Sequence, residues 1–212
     1  MSMALLWSRF GDYCHKVVVI ANRRSTCRAA QWTSFIELLA PCACCSAHRT
    51  DNGSAPMSHA NAELIQRFYR AFQNLDAETM AACYAEDVHF SDPAFTDLNG
   101  SEAGDMWRML CARAEGFSLT FDQVQADERE GSARWVATYR FSATGRQVVN
   151  HIQAHFVFRD GLIVEHRDHF DLWRWTRQAL GAKGLLLGWA PPVQAAIRRQ
   201  AARGLAQFRA SR

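Results

Sequence analysis

Apolar residues after position 57 recur at intervals of three and four in three successive segments, which is the period of an α-helix. The apolar residues on the predicted inward faces are Leu64, Ile65, Phe68, Phe72, Met80, Cys83, Tyr84, Trp107 and Leu110. Each segment begins with a small polar residue of the kind that caps helices. The predicted caps are Asn61, Asp76 and Ser101. The pattern therefore predicts three helices soon after Met57.

From position 117 the pattern changes to an alternation of apolar and polar residues, which is typical of β-strands. The four long segments that show it are "FSLTFDQVQADE", "SARWVATYRFSA", "RQVVNHIQAHFVF" and "LIVEHRDHFDLW". The tight turns "REG", "TG" and "RDG" separate them, and a shorter strand in "DVHFSDP" ends at Pro93. We expect an α+β domain in which a curved antiparallel sheet wraps the three helices and leaves a cone-shaped cavity.

The first 56 residues show no sustained helical or strand period and end in the linker-like "HRTDNGSAP". We expect them to be a disordered or non-native extension, with sequence upstream of a start at Met57 as the simplest origin. Arginine outnumbers the acidic residues there, so a transit peptide is the alternative. The cluster "CACC" at 42–45 lacks a second spaced pair of ligands, and we do not expect it to bind a metal ion.

Residues 176–212 are predicted to be a helical extension of the domain, which spans 57–175. After a segment that mixes aromatic residues with glycines, "PPVQAAIRRQAARGLAQF" predicts one C-terminal helix with proline at its start. One face of this helix carries Arg198, Arg199, Arg203 and Arg209. Contact with solvent is the usual reason for such a face, and contact with a membrane or an acidic partner is the alternative.

The bulk composition narrows the class of protein. A net charge of +3 on 212 residues is too small to indicate a nucleic-acid partner, and no apolar run has the length needed to cross a bilayer. Five of the seven cysteines precede position 57, whereas a disulfide framework would spread through the folded part. We therefore expect a protein of a reducing compartment, the cytoplasm.

Polar residues are concentrated in residues 164–175, "VEHRDHFDLWRW". Strand alternation predicts one face with Val164, His166, Asp168 and Phe170, and an opposite face with Glu165, Arg167, His169 and Asp171. His166 and His169 then point to opposite faces and cannot bind one metal ion, so no metal site is predicted. His166 and Asp168 share a face, either as a reacting pair or as a buried structural pair hydrogen-bonded to Tyr139, Asn150 or water.

The order of these elements, together with "QRFYRAF", "YAEDVHFSDP" and "HFVFRDGLIVEHRDHFD", resembles the NTF2-like superfamily and, within it, the SnoaL-like and ketosteroid-isomerase-like group. The resemblance spans about residues 61–175. It implies a cone-shaped fold, frequently a homodimer, with a pocket for a small hydrophobic ligand between the sheet and the first helix. It also implies chemistry without a cofactor, although the superfamily includes members with no catalysis.

The resemblance can be followed residue by residue. Asp92 in "SDP" matches the proton-shuttling aspartate of ketosteroid isomerases, but Phe68 and Ala154 stand where their two oxyanion donors would be. Asp168 in "RDHFD" matches an aspartate of limonene-epoxide-hydrolase-like proteins, whose arginine and second aspartate align with Ile152 and Ala154. We therefore expect neither steroid isomerisation nor epoxide hydrolysis in its known form.

The predicted catalytic residues are Asp92, His166 and Asp168, with an aspartate as general acid or base and His166 as its orienting or proton-relay partner. The predicted substrate-binding residues are Phe68, Phe72, Trp107, Tyr139, Asn150, Phe156 and Phe170. We expect an isomerase, cyclase or hydrolase that acts on a ring-bearing substrate. The alternative is a non-catalytic module for ligand binding or dimerisation, in which Asp92 only closes a turn.

A homodimer is expected through the outer face of the sheet. The resemblance implies it, and the residues assigned to this face exceed what a free surface requires. They are Trp135, His151, Gln153 and His155.

Overall fold

The computed structural model describes residues 59–212. The predictions for residues 1–56, including the cysteines at 42–45, lie outside this part of the chain. In chain order the elements are α1 (Ala60–Gln73), α2 (Ala77–Ala81), β1 (Tyr84–Ser91), β2 (Leu98–Asn99), α3 (Ser101–Ala112), β3 (Ser118–Ala126), β4 (Glu130–Phe141), β5 (Arg146–Arg159), β6 (Leu162–His169), α4 (Leu172–Leu180), α5 (Ala182–Leu187) and α6 (Pro191–Ala210).

The six strands form one curved, open sheet in the spatial order β2-β1-β6-β5-β4-β3, so the predicted α+β architecture is confirmed. The neighbours from β6 to β3 are antiparallel, as the tight turns between them predict. The prediction of a wholly antiparallel sheet is wrong for one pair, because β1 runs parallel to β6. No turn joins these two strands, and a parallel neighbour needs a long connection, which the rest of the domain supplies.

The N-terminal caps follow the predictions only in part. Asp76 caps α2 as predicted, since its Oδ1 accepts a 3.0 Å hydrogen bond from the Thr79 amide. Asn61 is not a cap; His59 caps α1, and the Asn61 side chain donates to the carbonyl of Asp127 at 2.8 Å. Ser101 is likewise the first residue of α3 rather than its cap. Asn61 thus fastens α1 to the turn before β4.

The core lies between α1 and the concave inner face of the sheet. Ile65 and Phe68 of α1 are fully buried, and burial of each such side chain contributes about 2–3 kcal/mol to folding. Gly131 in β4 permits this close approach, because a Cβ atom there would press on the side chains of Ile65 and Phe158. The apolar stripe predicted for the first helix therefore faces the sheet.

The C-terminal extension contains three helices, not the single one predicted. β6 is shorter than β5 and leaves part of β5 without a strand partner. There, the side chain of Gln178 in α4 forms the hydrogen bonds that a neighbouring strand would form. Its amide nitrogen donates to the carbonyl of Val149 at 3.0 Å, and its oxygen accepts from the Val149 amide at 2.9 Å. Further along, α6 packs on α3, where Arg209 pairs with Glu102 and Asp105. The predicted arginine face of α6 is therefore only partly a solvent face.

Candidate active site

The inner face of β6 carries the polar residues that the sequence singles out. His166 is 0% exposed and Asp168 is 6% exposed, while Arg167 and His169 face solvent. The predicted alternation holds for these four positions but not for Val164. Ile163 pairs with Phe158 and Glu165 with Val157, so Val164 is the extra residue of a β-bulge.

A chain of hydrogen bonds holds His166 and Asp168 in the protein interior. The Trp107 indole nitrogen donates to the Tyr84 hydroxyl at 2.8 Å, and this hydroxyl lies 2.7 Å from His166 Nδ1. On the other side of the ring, His166 Nε2 lies 3.1 Å from Asp168 Oδ1. The same Oδ1 accepts a 3.2 Å hydrogen bond from the Trp135 indole. The pair that was predicted from alternation is therefore one part of a five-residue network.

The direction of these hydrogen bonds follows from the donors available. An indole N–H can only donate, so the Tyr84 oxygen accepts from Trp107 and its single proton is directed to His166 Nδ1. His166 then carries its own proton on Nε2 and donates it to Asp168. This assignment gives every member of the chain a hydrogen-bond partner. Asp168 receives two N–H donors at one oxygen, an arrangement that stabilises a carboxylate.

His166 is enclosed by aromatic rings, which keep it from direct contact with a ligand. The ring centroids around its imidazole, at 4.3 to 6.1 Å, belong to Phe156, Phe90, Phe68, Tyr84 and Trp107. His166 can therefore act only through its hydrogen-bonded neighbours. Its hydrogen bond to Asp168 fixes the position of that carboxyl group.

Asp92 directly follows β1, which runs parallel to the strand that carries Asp168. The last residues that pair between β1 and β6 are Ser91 and Arg167, so Asp92 and Asp168 come next along the two segments. Asp92 itself lies in the turn after β1, within the electrostatic reach of the Asp168 charge. The predicted clustering of Asp92 with the β6 pair stays a prediction.

Asp92 also closes a turn, as the alternative interpretation predicted. Its Oδ1 accepts hydrogen bonds from the amides of Ala94 at 2.6 Å and Phe95 at 2.5 Å. Burial raises the pKa of Asp92 to about 7, and the negative charge of Asp168 contributes to the rise, while the two amide donors oppose it. The Asp92 carboxyl group, with a pKa of about 7, thus responds to the charge of a second carboxyl group, that of Asp168.

Four predicted substrate-binding residues pack against one another in this structure. Phe68, Phe72, Trp107 and Phe156 are all buried in the core, and the Phe72 and Trp107 centroids are 5.1 Å apart. These rings fill the deep part of the inner face. Their contact with a ligand stays a prediction.

The other three predicted substrate-binding residues, Tyr139, Asn150 and Phe170, are half-buried. The Tyr139 hydroxyl accepts a 2.8 Å hydrogen bond from the Trp175 indole of α4. Burial raises the pKa of Tyr139, and the charge of Asp92 adds to the rise. Asp92 therefore lies within the electrostatic reach of Tyr139, at the partly exposed end of the inner face.

The sequence predictions missed two polar partners of the buried pair. Tyr139 and Asn150 were expected there, but the structure places Tyr84 and Trp135 in these roles. The assignment of Trp135 to the outer face is wrong, since it is 7% exposed and points inward. Ala133, Trp135, Ala137 and Tyr139 alternate with neighbours that are polar except for Val136, and this alternation could have revealed the orientation.

A third tyrosine near the network has an unsatisfied hydroxyl. Tyr69 in α1 is fully buried, and its oxygen has no hydrogen-bond partner among the described residues. Burial raises its pKa well above the ordinary value, and the charges of Asp168 and Tyr84 add to this effect.

Within residues 59–212, no group of three His, Cys, Asp or Glu side chains is placed to hold a metal ion.

Comparisons with known proteins agree with this architecture. The family model of the SnoaL-like domain matches residues 65–166. No curated protein matches the chain. Among solved structures, an LEH-like epoxide hydrolase from M. tuberculosis has 22% identity and a TM-score of 0.51, over 64% of this chain and 99% of that one.

Two further solved structures have the same TM-score. A candidate polyketide cyclase from Silicibacter sp. TM1040 has 20% identity over 57% of this chain and 96% of its own. An NTF2-like protein of unknown function from Burkholderia pseudomallei has 18% identity over 57% and 98%. At these identities the structures are alike in fold. Residues 65–166 therefore match the family model of the SnoaL-like domain, and the described part of the chain has the fold of these solved structures.

Proposed function

We propose that this chain is a cofactor-free enzyme that uses Asp92 and Asp168 as a general acid and base pair. The observation that carries the proposal is that Asp92, which directly follows β1, lies within the electrostatic reach of Asp168 on the parallel neighbour β6, while the two carboxyl groups have different hydrogen-bond partners. Two neighbouring carboxyl groups do not ionise equally, and surroundings that favour opposite states assign the acid and the base.

The surroundings suggest which group has which role. Asp168 accepts N–H donors from His166 and Trp135 at Oδ1, which favours the carboxylate, and Oδ2 takes part in neither bond. Asp92, with a pKa of about 7, retains its proton in much of the protein at neutral pH. Asp168 is therefore the base, Asp92 is the acid, and His166 with Tyr84 orients the base.

The substrate class is inferred from the half-buried residues at the partly exposed end of the inner face. Tyr139, Phe170 and Trp175 provide apolar surface, and Asn150 provides an amide. Such a lining suits a small ring-bearing molecule with few polar groups. Isomerisation, cyclisation or hydrolysis of such a molecule would each need one base and one acid.

Hydrolysis of an epoxide is the reaction for which a probe is easiest to choose. Asp168 would take a proton from water while the water oxygen bonds to a ring carbon. The carbon–oxygen bond of the epoxide would break, and Asp92 would give its proton to the released oxygen. The product would be a diol, and proton exchange with solvent would restore both groups.

The test uses full-length protein, limonene-1,2-epoxide as the probe, and mass spectrometry of any ligand that co-purifies from cells. Asp168→Asn and Asp92→Asn should each lower kcat by about a hundredfold or more, because each removes one proton-transfer group. The matched control is Asp160→Asn in the exposed β5–β6 turn, which should leave kcat unchanged. Normal turnover in both site variants would contradict the proposal.

A second function, ligand binding without catalysis, is favoured by the close aromatic packing around His166. The two functions differ in what a co-purified ligand does. A binding module would hold its ligand unchanged through long incubation, whereas the enzyme would convert it. In the binding module Asp168→Asn would chiefly lower stability.

We also propose a homodimer through the outer face of the sheet. His151, Gln153 and His155 of β5 are exposed there, although Trp135 no longer supports the interface. Sedimentation velocity at micromolar concentration should show a dimer. Gln153→Glu should convert it to a monomer, since an isologous interface through this face would bury the new charge in both copies.

A further inference from the structure

Five large apolar side chains are exposed together on α4, on α5 and just after α5. We call them the apolar patch: Trp173, Leu185, Leu186, Leu187 and Trp189. Leu186 is 68% exposed and Trp189 is 62% exposed. Single exposed leucines need no explanation, but a contiguous group of large apolar residues marks an interaction surface.

The fold holds the leucines of α5 outward. Gly184 and Gly188 are the buried residues on this segment, and both lie against Thr176 of α4. A Cβ atom at either glycine would collide with Thr176, so only this side of α5 can pack so closely on α4. A helix whose glycines face inward and whose leucines face solvent has the reverse of the usual amphipathic arrangement.

The two tryptophans of the patch have their polar atoms satisfied within the protein. The Trp173 indole donates to the Leu185 carbonyl at 3.2 Å, and the Trp189 indole donates to the Leu186 carbonyl at 3.0 Å. These bonds fix both rings beside the leucines. The exposed ring surfaces are therefore apolar.

Positive charge accompanies the patch. Residues 172–212 contain eight Lys and Arg residues and no Asp or Glu, whereas residues 59–171 contain eighteen acidic and ten basic residues. Arg174, Arg177 and Lys183 lie on the same two helices as the patch and are exposed. None of these three forms an ion pair within the described residues, and the Arg177 guanidinium lies 4.7 Å from the centroid of the Trp173 ring.

We propose that the apolar patch docks on the surface of an anionic lipid membrane. The leucines and Trp189 enter the interfacial layer, and Arg174, Arg177 and Lys183 contact lipid phosphates, as in other interfacial helices with basic and aromatic residues. The acidic body of the domain is repelled by the same surface, so the patch is oriented toward it. No helix in residues 59–212 is long and apolar enough to cross a bilayer.

Charge argues against the other occupants of this surface. A second copy bound two-fold through the patch would bring the same three cations face to face. Residues 1–58 contain six basic and three acidic residues, so they also lack the complementary charge. An anionic lipid surface provides both an apolar layer and negative charge.

The test measures flotation of the full chain with vesicles of phosphatidylcholine alone and of phosphatidylcholine with phosphatidylglycerol. We expect binding to the anionic vesicles, little binding to the neutral ones, and at least a tenfold loss when NaCl rises from about 0.05 M to about 0.5 M. Absence of binding to both vesicles, or equal binding to both, would overturn the proposal.

Paired variants separate the patch from general surface effects. Leu186→Glu with Trp189→Glu should lower the partition coefficient at least about tenfold, since it removes apolar insertion and adds negative charge. The matched control is Leu75→Glu with Leu110→Glu, two other exposed leucines, which should change binding little. Equal losses in both double variants would overturn the assignment to the patch.

A charge variant supplies a test that does not alter the apolar residues. Arg177→Gln with Lys183→Gln should also lower binding to anionic vesicles several-fold and flatten its dependence on salt. Its control is Arg70→Gln with Arg140→Gln on the acidic body, where no loss is expected. Sedimentation tests whether a second copy covers the patch instead. If the unaltered protein is a dimer that does not bind vesicles, and the Leu186→Glu, Trp189→Glu variant is a monomer, the patch is an interface between two copies and the membrane proposal is wrong.

Discussion

The indole N–H of Trp135 donates a 3.2 Å hydrogen bond to Oδ1 of Asp168, although β5 lies between the strands that carry the two residues. Ala154 of β5 is the Cα partner of Asp168, and Ile152 is the partner of Trp135. The methyl group of Ala154 leaves space above β5 for the indole. Ala154 stands where the related enzymes have an acidic residue, and its small side chain permits the contact between Trp135 and Asp168.

A larger side chain at position 154 should break the contact between Trp135 and Asp168. We expect Ala154→Leu to destabilise the protein by about 1–3 kcal/mol, because it overpacks the inner face and removes a donor from a buried carboxylate. Urea unfolding measures the loss of stability, and near-ultraviolet circular dichroism reports the displaced indole. Ala137→Leu on β4 is the control for overpacking alone, and an equal spectral change in both variants would contradict this account.

Tyr84 and Tyr69 should respond oppositely to removal of the hydroxyl. Tyr84→Phe leaves the Trp107 donor and His166 Nδ1 unpaired, and we expect it to lower the free energy of unfolding by about 2 kcal/mol or more. Tyr69→Phe removes a buried hydroxyl without a described partner and should be neutral or stabilising by about 1 kcal/mol. Urea unfolding of both variants checks the pair, and an equal loss would show that Tyr69 has a partner in solution.

The order of helices and strands could be predicted because hydrophobic period is a local property. The α1 stripe and the β3–β6 hairpins are examples. The parallel contact of β1 with β6 could not be predicted, since no turn signals it, yet it brings the end of β1, just before Asp92, next to the strand that carries Asp168. The bulge at Val164 likewise depends on pairing with β5.

The C-terminal extension shows a second limit of local patterns. Glycine is a poor helix former, so Gly184 and Gly188 predict breaks in this segment and a single helix after it. In the structure, these glycines allow α5 to pack on Thr176, so tertiary contact overrides propensity. The exposure of Leu185, Leu186 and Leu187 could not be foreseen, because a run of apolar residues normally predicts a buried segment.

A chain that starts at Met57 should unfold at the same temperature as the full chain. The physical reason is that residues 1–56 present no periodic apolar face that could pack on the domain. Differential scanning calorimetry of the two proteins checks this. A drop of several degrees in Tm of the shorter chain would place part of the N-terminal segment in the folded domain.

Asp92 should make the protein less stable as the pH rises toward neutrality. Its folded-state pKa of about 7 lies above the ordinary value of 3.8, so the folded protein retains a proton that the unfolded chain has already lost. The contribution of the protonated group is complete below about pH 4 and is lost as the pH rises through about 7. Asparagine can keep the turn contacts with Ala94 and Phe95 but does not titrate. The stability of Asp92→Asn relative to the unaltered protein should therefore increase between pH 4 and pH 7 and then remain constant.

Urea unfolding of both proteins across this pH range measures the difference directly. Asp160→Asn is the control, because this exposed residue lies in a turn at a positive φ of 54° that asparagine adopts as readily. The stability difference between Asp160→Asn and the unaltered protein should not depend on pH.

If the protein is the proposed enzyme, the same titration should lower kcat/KM above about pH 7, as Asp92 loses the proton that it donates. A pH-independent difference for Asp92→Asn would mean that Asp92 is already ionised in the folded protein, and the assignment of Asp92 as the acid would then fail.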